Sequence, residues 1–184
     1  MNEIIQASSR PLAVMNAATQ AEEQQQYLTF MLGGETFAIG ILGIKEIIEY
    51  HGLTEVPMMP ACIRGVINLR GAVVPVLDLA ARFGKKSSEV TKKTCIVIVE
   101  VQSGEERHDM GVVVDAVNAV LEIPASEIEP PPSFGAKIRS DFIEGMGKVN
   151  GKFVILLNVH QVLSTEEIGA LGQVAGAEVA LPSI

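Results

Sequence analysis

The chain contains one pattern twice, eighty positions apart. Residues Ile63 to Leu79 align without a gap with Ile143 to Val159. Ile63, Gly65, Gly71, Val74 and Leu77 meet Ile143, Gly145, Gly151, Val154 and Leu157, and Asp78 meets Asn158. Within the first copy, Ile63, Gly65, Ile67 and Leu69 share one face of an extended chain, and Arg64, Val66, Asn68 and Arg70 share the other. Period-two alternation with β-branched residues reads as strand. A turn at Arg70-Gly71, and at Asn150-Gly151 in the second copy, folds each stretch into a β-hairpin.

The repeat runs backwards more weakly. Phe37 to Ile41, with Ile44, Ile47 and Ile48, parallels Met110 to Val114 with Val117, Val120 and Leu121; Tyr27 to Leu32 parallels Cys95 to Val101. Proline-rich connectors follow, Val56 to Pro60 in one copy and Pro130 to Pro132 in the other. A period near eighty is too long for a solenoid and suits two small barrels. The expected organisation is a tail over 1–26, a domain over 27–163 with units at about 27–90 and 94–163, and a short helix and tail over 164–184. Lys85 to Lys93 is the polar boundary between the copies.

The copies differ at the turn. Asn150-Gly151 suits a tight hairpin because both residues tolerate positive φ. Arg70 does not, since a left-handed arginine costs about 1–2 kcal/mol; a longer turn with only Gly71 left-handed avoids that cost. Either way Arg70 is not there to help the turn. It is a solvated surface charge or a binding or structural one.

Apolar residues make up 48% of the chain and aromatic ones 4%, with no Trp, which predicts an aliphatic core. A net charge of −8 opposes non-specific binding to nucleic acid. The apolar runs are strand-length, well short of the ~18–20 residues of a membrane span, and no signal peptide is evident. Cys62 and Cys95, each in an apolar context, read as free thiols. No catalytic set, phosphate loop or Cys-x-x-Cys is present, and three His and two Cys are too few and scattered for a zinc site. The balance shifts toward a binding or scaffold protein, needing no cofactor.

Between the repeats, Ile44 to Glu49 fits a helical turn or a strand, and its Ile-rich composition favours strand. Glu46, between these isoleucines, reads as a solvent-facing carboxylate. Thr54 to Pro60 is an extended loop, and Leu79 to Gly84 one helical turn. Ser103 to His108 is a charged hairpin loop, and Pro124 to Arg139 a long loop in which Phe134 either plugs the core or contacts a partner. Ser164-Thr165-Glu166-Glu167 is a capping box starting a helix over Thr165 to Leu171.

The stretch Ile63 to Gly71 followed by Val74-Pro75-Val76-Leu77-Asp78-Leu79 resembles the signature of the CheW family of bacterial chemotaxis coupling proteins. Phe37 to Ile41 with Ile44, Glu46 and Ile47, Gly111 to Val117, and Ile143 to Gly147 are similar to further family elements, so the resemblance covers about Gln26 to Leu171. It implies an all-β fold of two intertwined five-stranded SH3-like barrels with an apolar seam between them, plus short helices, one at the C-terminus. It also implies a non-catalytic cytoplasmic adaptor bridging methyl-accepting chemoreceptors and the regulatory domain of the histidine kinase CheA, with no nucleic acid and no membrane insertion. The chain leaves no room for a receiver or kinase domain, which points to a stand-alone adaptor. Carried over by resemblance, Glu46 and Arg70 form a salt bridge near the receptor surface, Gly65 keeps the groove clear, and Ile44, Val117 and Val120 line it. Ile47 and Phe134 face the kinase. A paralogue serving another array such as surface motility, or a small-barrel ligand-binding domain, are the alternatives.

Overall fold

A computed structural model of the chain describes residues 25–87, 89–131 and 139–164. Among the described residues, eleven strands form two sheets. The N-terminal hairpin pairs β1 (Gln26–Leu32) with β2 (Glu35–Gly40) across Gly33-Gly34, both at positive φ. A 3-10 turn leads to β3 (Ile44–Glu49). Then come β4 (Ile63–Leu69), β5 (Ala72–Asp78) and the one-turn helix α1 (Leu79–Arg82). The second copy supplies β6 (Cys95–Ser103), β7 (Glu106–Val114), β8 (Ala116–Glu122), β9 (Ile128–Glu129), β10 (Ile143–Val149), β11 (Lys152–Leu157) and helix α2 (Val159–Val162). Ile44 to Glu49 is strand, as its composition predicts. The charged loop expected at Ser103 to His108 shrinks to a turn at Gly104-Glu105, because β6 and β7 stay paired out to Ser103 and Glu106. The loop after Pro124 contains a 3-10 turn and β9. The helix expected over Thr165 to Leu171 lies outside the described residues.

The copies exchange hairpins. One sheet runs β8-β1-β2-β11-β10-β9, the other β3-β6-β7-β5-β4. The first hairpin of copy one therefore joins the second hairpin of copy two, through the parallel pair β2·β11, and the converse exchange occurs through β5·β7. Every other strand pair is antiparallel.

Strand parity divides the interior into three cores. In β6, Val97, Val99 and Val101 face a seam shared by both sheets, while Ile96 and Ile98 face a second cluster with Ile67, Val74, Val76 and Val113. A strand buried on both faces has no room for alternation, which explains the unbroken apolar run from Cys95 to Val99. Tyr27, Ala38, Ile123, Val154 and Leu156 form the matching cluster of the other sheet. The seam is mainly aliphatic, as composition predicts, with four phenylalanines set into it. Phe30, Phe37, Phe83 and Phe142 form a chain of ring contacts 5.7–6.1 Å apart within it. Few aromatics are present, but they are concentrated where the sheets meet.

The helices repeat the symmetry. Asp78 Oδ1 accepts from Ala81 N and Asn158 Oδ1 from Gln161 N, so the matched pair Asp78 and Asn158 are both N-caps. Buried Arg82 then ties the helices together. Its Nε donates to Val162 O at 2.8 Å, and its guanidinium lies 4.6 Å from the Phe142 ring centre.

Candidate protein-docking rim

The β4–β5 hairpin resolves the choice posed by Arg70. Arg70 has φ 53° and Gly71 φ 87°, nearly the geometry of Asn150 (52°) and Gly151 (78°). The turn is tight, and the longer alternative with only Gly71 left-handed does not form. Asn68 Oδ1 accepts from Gly71 N at 2.9 Å and fixes the turn. The arginine sits in the left-handed region, at a cost of about 1–2 kcal/mol.

Its side chain reaches Glu46 on β3. Arg70 Nη1 donates to Oε1 at 3.0 Å and Nη2 to Oε2 at 2.9 Å, a two-pronged pair. The Arg70 side chain is 77% exposed, however, and Glu46 24%. An ion pair this open contributes roughly 0–1 kcal/mol, so it does not outweigh the strain on energetic grounds. Backbone strain retained without a stability return is the kind that clusters at functional sites.

A bulge in β3 aims Glu46. The register slips between Ile44 and Glu46, with Ile44 opposite Val99 and Glu46 opposite Ile98. The extra residue, Lys45, inverts the parity of the strand. Ile44 thereby faces the seam, Glu46 the opposite side toward Arg70, and Ile48 the second cluster. Lys45 Nζ bridges Asp109 Oδ1 at 2.9 Å and Glu100 Oε2 at 3.3 Å, two carboxylates directly opposite each other on β7 and β6. Hydrogen bonds to Asp109 and then Glu100 hold the Lys45 ammonium above its ordinary pKa. Sequence reading missed this trio, whose members are distant in the chain; two acids facing across one hairpin are the signal it offered.

The matching bulge in β8 puts Val117 opposite Phe30 and Val120 opposite Leu28. Ile44, Ile47, Val117 and Val120 thus all lie on the seam-facing sides of edge strands. Ile44 and Val117 pack on the seam cluster, while Ile47 is 42% and Val120 53% exposed. Leu42, in the 3-10 turn before Ile44, is more exposed still and was not singled out from sequence. Phe134 lies outside the described residues.

Gly65 is buried, and it stands against backbone. A Cβ there would lie 2.5 Å from Thr54 O, which is held to β4 by reciprocal backbone bonds between Thr54 and Val66. The matched Gly145 faces Ile128 and Glu129 of β9 in the same way. Its immediate neighbour is thus the crossing chain.

Cys62 and Cys95 are free, and burial pushes both thiols up. Among the described residues no group of three or more His, Cys, Asp or Glu is placed to hold a metal ion, and no helix is long and apolar enough to cross a membrane.

Residues 26–167 match the family model described as a CheW-like domain. The chain is 32% identical to chemotaxis protein CheW of Klebsiella aerogenes, over 82% of this chain and 89% of that protein. It is 33% identical to chemotaxis protein CheW of Helicobacter pylori, over 79% and 85%. Protein FrzA of Myxococcus xanthus is 29% identical over 80% and 91%. Among solved structures, the scaffolding protein TtCheW from Thermoanaerobacter tengcongensis superposes with a TM-score of 0.69 at 34% identity, covering 76% of this chain and 87% of that one.

Proposed function

Because the chain belongs to the CheW-like family of chemotaxis scaffold proteins, we propose that it couples the cytoplasmic tips of chemoreceptors to the regulatory domain of the histidine kinase CheA, without chemistry of its own. The observation that carries this reading is the strained, exposed Arg70 paired with Glu46. It supplies a charged rim beside apolar edge strands. Ile44, Val117 and Val120 offer the apolar contacts for a receptor helix, whose anchors would recur at i, i+3 and i+4. Gly65 serves this surface through the backbone, by letting Thr54 lie against β4. Ile47 and Phe134 face the kinase. The protein works in the cytoplasm at receptor arrays, where many modest contacts add up through avidity.

The test is the phosphorylation rate of CheA with receptor-bearing membranes, with and without this chain. Strong activation only when all three are present supports the coupling role. Arg70→Glu should abolish activation while the variant keeps its thermal transition. Unchanged activation by the folded variant would remove Arg70 from the receptor surface. No activation by the folded wild-type chain with any receptor tried would overturn the coupling role.

A further inference from the structure

A second strained residue lies away from the rim. In the segment joining β3 to β4, Pro57 and Met58 make a turn, and Met58 has φ 66°. Glycine or asparagine is the residue such a position favours. Met58 is also 59% exposed, so it serves neither the turn nor a core. Met59 (40%) and Val56 (38%) are exposed beside it.

Both ends of this apolar tip are anchored. Thr54 is bonded to Val66 on one side; on the other, Pro60 is buried and its carbonyl accepts from Ile63 N at 2.9 Å. Anchored ends keep the two thioethers presented to solvent. The other described methionines are less exposed, Met31 and Met146 being half-buried. Met110 is buried, Met146 packs on the seam, and Met31 Sδ accepts a hydrogen bond from Thr36 Oγ1 at 3.3 Å.

We propose that Met58 and Met59 form an oxidative modification site that reacts with hydroperoxides. The thioether sulfur attacks one oxygen of hydrogen peroxide and the O–O bond breaks. A sulfur–oxygen bond forms, two electrons pass from sulfur to the peroxide, and the proton of the transferred oxygen passes to the other oxygen, which leaves as water. The product sulfoxide makes a projecting apolar tip polar. Neither methionine belongs to any of the three cores, so the fold persists. The inference does not depend on the docking reading.

The test exposes the full chain to dilute hydrogen peroxide and follows each methionine by peptide mass spectrometry. Met58 and Met59 should gain oxygen on the order of tenfold faster than Met31, Met110 and Met146, with the thermal transition retained. Met15 shares with Met31 the fragment that ends at Lys45, so fragment-ion sequencing assigns the oxygen to each, and Met1 and Met15 do not enter the comparison. The Met58→Leu, Met59→Leu double variant should fold and lose the fast uptake from its 46–64 fragment. Equal rates across the five sites, faster oxidation of Met31 or Met146, or unfolding on modification of Met58 and Met59 alone would overturn the proposal.

Discussion

Arg70, in the turn that follows β4, and Glu46 on β3 meet through two hydrogen bonds, although β3 and β4 lie at opposite ends of one five-strand order. The sheet must therefore curl until its first and last members face each other. Ile48 of β3 and Leu69 of β4 pack against the same apolar cluster, which accounts for the curl. The pair thus links the two edges of this sheet. At the matched positions of the other sheet, Ala119 and Asn150 offer no charges.

Replacing Arg70 with the residue of the second copy separates stability from function. Arg70→Asn relieves part of a strain of about 1–2 kcal/mol and loses an exposed pair contributing roughly 0–1 kcal/mol. Unfolding free energy should change by less than about 1 kcal/mol in urea titration, while receptor-dependent kinase activation falls. A large stability loss would mean the pair supports the fold.

The matched glycines should tolerate a methyl group unequally. At Gly65 a Cβ meets a backbone oxygen at 2.5 Å; at Gly145 its nearest neighbour is the Ile128 side chain at 2.7 Å. A methyl group can turn aside more readily than a paired carbonyl. Gly65→Ala should cost about 1–3 kcal/mol, the range for overpacking, and Gly145→Ala less. Denaturant midpoints at unchanged slope would show the order.

Arg82 is 8% exposed and bonds to the carbonyl of Val162. Arg82→Leu keeps apolar bulk but orphans that carbonyl, so the loss should be about 1.5–3 kcal/mol, the range for hydrogen bonds to charged groups. Amide hydrogen exchange should accelerate first in α2. Acceleration confined to α1 would contradict the tie between helices.

Lys45 provides a pH signature. Its folded pKa lies above the ordinary 10.5, held there by Asp109 and Glu100. Its stabilisation is therefore fully present below pH 10.5 and is lost as pH rises through the folded value. The gap in Tm between wild type and Lys45→Met should hold through neutral and mildly alkaline pH, then close above 10.5. A gap independent of pH would assign the effect to packing.

The duplication, the hairpins and the strand at Ile44 were legible because side-chain period and turn chemistry are local properties. The hairpin exchange was implied only by the family resemblance, as intertwined barrels, and not by the repeat itself. Equivalence of Ile63 to Leu79 with Ile143 to Val159 says which segments are alike, but β5 beside β2 and β5 beside β7 look the same from the repeat. The Arg70 conformation was equally closed to inspection, since its own propensity argues against it and the surrounding hairpin overrides that preference. Glu46 and Arg70 were paired through family resemblance; the parity inversion at Lys45 that allows them to meet shows only in the register.

The exchanged hairpins also set an order of assembly during synthesis. The sheet built from β3 to β7 has all its strands once Val114 has emerged, whereas β1 and β2 wait for β10 and β11, which end at Leu157. A growing chain thus completes one sheet while its first-made hairpin still lacks its parallel neighbour. Long-range pairing of this kind is slow and leaves apolar strand faces unprotected while it lasts. For this molecule the interval runs from Val114 to Leu157, and the seam faces of Leu28, Phe30 and Phe37 are what it leaves incompletely covered.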